Sequence, residues 1–290
     1  MDAPSSTDVG DAAAVERCAR AYRLKLPRAP LAGPAGRSAG ADLGSSLDFQ
    51  DFRAYFPGDD VRHVDWSIYG RTDELVVRLY REEVSPDIEV VLDCSRSMAS
   101  SALKSAAALA SARLFLSLAR RERGSASLVL AGEAPRRLRG DDAERALAAG
   151  VFAGRAPLDE VLASGQVPLR RRSVRAVVSD FLFPHAAPAL VARLARQAAA
   201  LFVVQILDPA ELDPDFAGGR LLVDVETGEE ASVLVSADAI SRYRARLDAL
   251  TADLARQCRL WAAPFARAAA GPLPSIAREA LLPAGIVEAA

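Results

Sequence analysis

Asp93, Ser95 and Ser97 stand two residues apart, directly after the apolar run that starts at Ile88 and directly before an Ala-rich helical pattern. In an extended turn, alternate residues face the same way, so one carboxylate and two hydroxyls can converge on one point. This hard oxygen environment suits Mg2+, with Mn2+ or Ca2+ as alternatives, and does not suit zinc. One carboxylate and two hydroxyls cannot fill about six positions, so further oxygens must come from another strand end, water or a ligand carboxylate. Asp180 is the best second contributor, because Val177-Val178-Ser179-Asp180 repeats the arrangement of apolar strand followed by acid. If strands 88–93 and 174–180 are neighbours, Asp93 and Asp180 approach and repel unless a cation or proton lies between them. A metal answers that need. So does an arginine, and Arg96 and Arg155 lie in the nearby loops. In the alternative structural reading, Asp93 accepts turn hydrogen bonds while Ser95 and Ser97 cap the next helix.

A second concentration of chemistry runs from Phe49 to Arg71, where Arg53, Asp59, Asp60, Arg62, His63, Asp65 and Arg71 are interleaved with aromatics. In the structural reading, Arg and Asp pair, Trp66 and Tyr55 bury, and the block seals one sheet edge. In the functional reading, Arg62, His63, Asp65, Trp66 and Arg71 form a docking surface or pocket. His63 and Asp65, two apart, would share one side of a strand, with the imidazole as a base oriented by the carboxylate. Ser67 falls on the same side, but side chains in a row on one strand do not make a relay. Cys94 reads as packing, since Asp93 beside it disfavours a thiolate. Arg170-Arg171-Arg172 reads as a solvated turn. The sequence contains no GxxxxGK[ST] phosphate loop and no GxGxxG opening a strand-to-helix unit, which argues against ATP hydrolysis by the chain itself.

The whole chain bounds these readings. Its 290 residues are 51% hydrophobic, enough for one large domain or a domain with an appendage. With 36 basic and 38 acidic side chains, net charge is -2, and nothing global favours nucleic acid or an anionic membrane. Cys18, Cys94 and Cys258 give neither a disulfide framework nor a zinc pattern, as expected for a reducing cytoplasm. Two histidines exclude a histidine-rich metal site. The opening MDAPSSTDVG lacks a signal-peptide pattern, and no uninterrupted apolar stretch reaches the roughly 20 residues of a membrane span. The expectation is a cytoplasmic protein without membrane insertion, of undetermined oligomeric state.

The elements that must position the Asp and Ser residues follow from periodicity. Residues 1–10 are expected to be disordered, 11–26 to include a short helix with Val15, Ala19 and Tyr22 on one side, and 27–44 to be a linker. Phe49 to Tyr55 is aromatic, Pro57-Gly58 marks a turn, and Leu75 to Tyr80 reads as a strand. Nearly all-apolar strands are expected at 88–92 and 174–179, with others at 126–131 and 201–207 and a short one near Arg137. Helices are expected at 101–120, with Leu103, Ala107, Ala110, Leu114 and Leu118 as the apolar stripe, and at 141–149, 158–163, 186–199 and 237–256. Residues 220–225 and 231–235 read as a hairpin, 259–264 as a last strand and 274–282 as a last helix. Strands alternating with helices predict an α/β protein with a central, mostly parallel sheet. The expected organisation is an N-terminal segment 1–35, an appendage 36–85 and a main domain 86–285 carrying the hairpin as an insertion at 211–236.

Asp93-Cys94-Ser95-Arg96-Ser97-Met98 resembles the metal-ion-dependent adhesion motif of von Willebrand factor type A domains, over about residues 86–270. The resemblance implies a Rossmann-like sheet with a divalent ion at its upper edge, held by Asp93, Ser95, Ser97 and Asp180 and completed by a partner's acidic residue. Phe49 to Tyr55, then Pro57-Gly58-Asp59-Asp60-Val61-Arg62-His63-Val64-Asp65-Trp66, Gly70-Arg71-Thr72 and Glu82-Glu83, resemble the bacterial domain of unknown function 58. So do Asp208-Pro209-Ala210-Glu211-Leu212 and Asp224 to Glu229. This second resemblance implies a non-enzymatic interaction module that partners or adapts a MoxR-type AAA+ ATPase. One departure stands out. Where the adhesion motif adds a threonine, this chain reads Gly154-Arg155-Ala156-Pro157-Leu158 and offers no hydroxyl. Arg155 would repel an ion, or would stand in for it by pairing with Asp93 or Asp180. Two alternatives stay open: a metal-assisted phosphoesterase or nuclease using Asp93 and Asp180, with His63 and Asp65 as further contributors, and a scaffold that has lost its ion.

Overall fold

The computed structural model of the chain describes residues 12–26, 49–56, 64–80, 87–122, 124–214, 218–225 and 228–290. The disorder expected at 1–10, the linker at 27–44, the turn at Pro57-Gly58, and Arg62 and His63 lie outside the described residues. The chain divides into two compact units, one of residues 42–85 and one of the remainder.

The larger unit begins with α1 (Ala12–Ala21) and β1 (Tyr22–Leu24). The smaller unit contains β2 (Phe49–Ala54), α2 (Trp66–Thr72) and β3 (Val76–Tyr80), with β2 and β3 paired antiparallel.

The larger unit resumes with β4 (Ile88–Asp93), a 3-10 turn at Arg96–Ala99 and α3 (Ala102–Arg121). β5 (Ala126–Ala131), β6 (Arg136–Leu138), α4 (Gly140–Ala149) and α5 (Leu158–Ala163) follow. Next come β7 (Val174–Ser179), α6 (Ala187–Ala195), β8 (Ala200–Leu207) and the short α7 (Pro209–Leu212). The antiparallel pair β9 (Gly218–Val223) and β10 (Glu230–Val235) leads into α8 (Ala237–Leu260) and β11 (Phe265–Ala269). α9 (Leu273–Ile276), a π turn at Ala277–Leu281 and β12 (Val287–Ala289) complete it.

Six strands form the central sheet in the order β11-β8-β7-β4-β5-β6, all parallel except β6. Every residue of β4, β7 and β8 is buried, which is why their sequences run apolar without alternation: helices cover both faces. Val91, Val129, Val177 and Val203 pack with Leu162 of α5, Leu190 and Leu194 of α6, and Leu254 and Cys258 of α8. Alternate residues point to the opposite face, where α3 contacts β4, β5, β7 and β8, and α1 packs on α3. By length and composition α3 is apolar enough to cross a membrane, but most of it is buried inside the protein. β1 pairs antiparallel with β12, joining Leu24 to Val287.

The C-terminal third differs from the sequence expectation. The strand expected at 259–264 is displaced: α8 continues to Leu260 and β11 starts at Phe265. Leu247, Leu254 and Cys258 stay buried along α8, so the helical phase persists until Ala262 adopts φ 50 and turns the chain. The helix expected to reach Ala199 stops at Ala195, where Gln197 takes φ 60. The pairing of β1 with β12 was not anticipated, because three-residue strands carry too little periodicity to read.

Candidate functional site

β4 and β7 are hydrogen-bonded neighbours, with Leu92 opposite Val178. Asp93 and Asp180 therefore emerge side by side at the C-terminal edge of the sheet, where open α/β folds place their sites. Both are fully buried. Asp93 Oδ1 accepts the Ser95 amide at 2.9 Å and Oδ2 accepts the Ser179 hydroxyl at 2.6 Å. The Ser95 and Ser97 hydroxyls lie 3.0 Å apart. Asp180 Oδ1 accepts the Leu182 amide at 3.0 Å, while Gln205 Nε2 donates to the Asp180 carbonyl at 2.9 Å. Just beyond, Phe181 takes φ 54, a left-handed conformation unusual for a bulky buried residue, and its amide donates to the Ser179 hydroxyl. The loop after α4 is laced to the turn: Gly154 N–H donates to Cys94 O, and Arg96 N–H to Gly154 O, both at 2.9 Å. A side chain at 154 would bring its Cβ to 3.1 Å from that Cys94 carbonyl, so glycine permits the contact.

The cation beside Asp180 is Lys104. From the first turn of α3, its ammonium reaches Asp180 Oδ2 at 2.8 Å and Glu211 Oε1 at 2.7 Å, and the lysine side chain is wholly buried. Ser101 sets this geometry. Its hydroxyl accepts the Lys104 amide at 3.0 Å as the helix cap and donates to the Asp208 carboxylate. Asp208 caps α7 in turn, and Glu211 Oε2 accepts the Asp208 amide at 2.7 Å, completing a capping box. Buried carboxylates, buried ammonium and two helix starts thus form one connected network.

Arg155 does not supply that charge. Its side chain is exposed, and its backbone N–H donates to the Glu133 carboxylate at 3.0 Å. Leu103, placed on the apolar stripe by the sequence, is only half-buried, and the neighbouring Lys104 points inward instead. The missed signal was phase: Lys104 shares its helix face with Ala108, Ser111 and Phe115, all buried.

Lys104 also decides how well the site fits a divalent ion. Both Asp93 oxygens already accept hydrogen bonds, and one Asp180 oxygen is held by an ammonium. A divalent ion placed between the acids would sit against that positive charge, with repulsion strengthened by burial. Among the described residues, no group of three or more His, Cys, Asp or Glu side chains is arranged to hold a metal. With Lys104 in this position, the donor set does not fit such an ion.

Burial, and then the nearby Asp180 charge, push the Asp93 carboxyl up from 3.8 to about 6, against the hydrogen bonds from Ser179 and Ser95. An acid with a raised folded-state pKa holds its proton more tightly when folded. Its contribution to stability is complete below the unfolded value near 4 and is lost as pH rises through about 6. The gap corresponds to on the order of 3 kcal/mol. Asp93→Asn is therefore expected to flatten the stability profile between about pH 4 and pH 6 and to stabilise the chain above it, measured by urea unfolding in chelator-containing buffer. A wild-type slope that survives in the variant would assign it to another group. Burial, and secondarily the Asp93 charge, push the Cys94 thiol up to about 12, in keeping with packing rather than reactivity.

In the smaller unit Ser67 lies in α2 and not on a strand with Asp65. Asp65 caps that helix: its Oδ1 accepts the amides of Ser67 at 2.9 Å and Ile68 at 3.2 Å. Trp66, expected to be buried, is 61% exposed and meets Tyr69 edge-on at 6.1 Å. Arg71 Nε donates to the Ser67 carbonyl at 3.1 Å.

Fold and site together define a class: a mixed α/β protein whose mostly parallel six-stranded sheet carries two adjacent acids at its C-terminal edge, one of them paired with a buried lysine. The chain belongs to the family described as protein of unknown function DUF58, whose pattern matches residues 51–254. No curated protein matches it. Among solved structures it is similar to the hypothetical protein BatB from Bacteroides thetaiotaomicron, at 11% identity and a TM-score of 0.28, over 60% of this chain and 99% of that one. At that level the likeness bears on neither fold nor function.

Proposed function

We propose that the chain is a non-enzymatic, cytoplasmic protein-interaction module of von Willebrand A-like kind, a partner or adaptor of a MoxR-type AAA+ ATPase. In this reading the motif residues Asp93, Ser95, Ser97 and Asp180 organise the loop rim that meets the partner, and Lys104 takes the place of the ion. The observation that carries it is the buried Lys104–Asp180–Glu211 ion pair. It ties the start of α3 to Asp180 at the end of β7 and to Glu211 of α7, and the neighbouring Ser101 hydroxyl adds a link to Asp208. It also commits an acid that a metal-assisted phosphoesterase would need for chemistry, which favours docking over hydrolysis.

Two arms test this. In sedimentation with a purified MoxR-type ATPase of the same organism, the chain is expected to co-migrate, with and without nucleotide. In calorimetry, Mg2+, Mn2+ or Ca2+ at millimolar concentration is expected to give no stoichiometric binding to the chelator-treated chain. One-to-one binding that disappears in Asp93→Ala would restore the ion-bearing reading. Absence of co-migration would remove the ATPase as the partner.

A further inference from the structure

Beside the buried acids, and sharing Ser101, Asp208 and Glu211 with their network, a groove of about 530 Å3 opens among α7, the β9–β10 ribbon and the first turns of α8. Leu222, Val235, Ile240 and Tyr243 make its apolar walls, and Asp208 and Glu211 stand at its polar end. We propose that this groove binds a basic amphipathic segment of a partner protein, seating an apolar side chain between the walls and a flanking lysine or arginine at the acidic end. The inference rests on the interaction-module reading and adds the chemistry of what is recognised.

Charge argues for this occupant. The charged residues lining the groove are both acidic. The cation that reaches Glu211 is Lys104, which Asp180 shares. Asp180, Asp208 and Glu211 thus set three carboxylates against one buried ammonium, and the excess is negative. The site is also built in advance: the capping box fixes both lining acids, and the Tyr243 hydroxyl donates to the Glu211 carbonyl at 2.8 Å. Binding therefore requires little reordering.

The apolar side argues for a protein segment rather than a small cation. On the groove face of the ribbon Leu222, 47% exposed, stands with Val235 and across from Ile240 and Tyr243, whereas Leu221, Val223 and Leu234 lie on the ribbon's other face. Contiguous apolar surface rimmed by charge marks an interaction site, and a lone two-stranded ribbon gains stability from a partner. A second copy of the chain is a poor occupant. The ribbon carries Asp224, Glu229 and Glu230 against Arg220, so self-docking would set acids against acids.

The test uses the full chain and a short fluorescein-labelled peptide of leucine and arginine, with twins in which glutamine or glutamate replaces arginine, read by fluorescence anisotropy. The arginine peptide is expected to bind at least about tenfold more tightly than the glutamine twin, and the glutamate twin more weakly still. Ile240→Glu and Leu222→Glu are each expected to weaken it by about tenfold or more. Leu260→Glu, at the far end of α8, is expected to leave it unchanged, with folding of every variant confirmed by circular dichroism. Equal binding of the three peptides, or binding insensitive to both groove variants, would overturn the proposal. So would a dimer in sedimentation that Ile240→Glu dissolves, which would give the groove to a second copy. ATPase co-migration that survives Ile240→Glu would remove the groove while sparing the module. Selective peptide binding without ATPase co-migration would uphold the groove and reject that ATPase.

Discussion

Lys104→Met is expected to lower unfolding stability at neutral pH by about 3–5 kcal/mol, the usual effect of removing one partner from a buried charge cluster. Methionine matches the length of the lysine stem, so the loss is electrostatic rather than a cavity. Asp180, completely buried, loses the ammonium at 2.8 Å, and Glu211 loses the one at 2.7 Å. Urea titrations at several pH values check this. Lys104→Met combined with Asp180→Asn should recover much of the loss, since a neutral amide removes the stranded charge. A single variant as stable as the wild type would show that the buried pair is not formed in solution, and the proposal that Lys104 replaces an ion would go with it.

A change of similar size is expected at the opposite edge of the sheet. Arg175, 2% exposed, opens β7 and donates to the carbonyls of Leu194 at 2.6 Å, Arg196 at 2.9 Å and Arg170 at 2.6 Å, with Glu89 3.4 Å from its Nε. It thereby ties the end of α6 and the turn before β7 to the buried carboxylate of β4. Glu89 also receives Arg137, the Ser173 hydroxyl and the Arg170 amide. Arg175→Met leaves three carbonyls short of a donor and is expected to cost about 3–5 kcal/mol. Because the residue lies at the far end of β7 from Asp180, peptide binding in the groove should persist at temperatures where the variant is folded. Loss of binding in a folded Arg175→Met protein would mean that the two sheet edges are coupled.

How much of this was legible in the sequence depended on how local each determinant is. The buried strands read clearly, because Ile88 to Leu92 and Val174 to Ser179 are covered on both faces and need no alternation. The meeting of Asp93 with Asp180 followed from two copies of one local pattern plus adjacent strands. Lys104 was not legible. One lysine in an alanine-rich helix reads as solvent-facing, and only the tertiary register of α3 against β7 turns it inward. Glu211 was visible as the third residue of a capping box but not as a counter-charge to a residue 107 positions earlier. Trp66 misled because an aromatic beside Asp and Arg suggests burial, while the short α2 leaves it exposed. The end of α8 was misplaced because the residues after Arg256 include no breaker before Pro264.

The way the smaller unit is threaded into the chain has a consequence of its own. Residues 42–85 leave from and return to the larger unit, whose α1 and β1 come before them and whose sheet comes after. The contact of α1 with α3 and the pairing of β1 with β12 must therefore close a loop that contains this whole segment. The entropy of closing a flexible loop grows only with the logarithm of its length, by about 0.6 kcal/mol per doubling. The larger unit is thus nearly indifferent to how long its passenger is. The segment can lengthen, shorten or be rebuilt while the framework that holds Asp93 beside Asp180, and Asp180 against Lys104, keeps its stability.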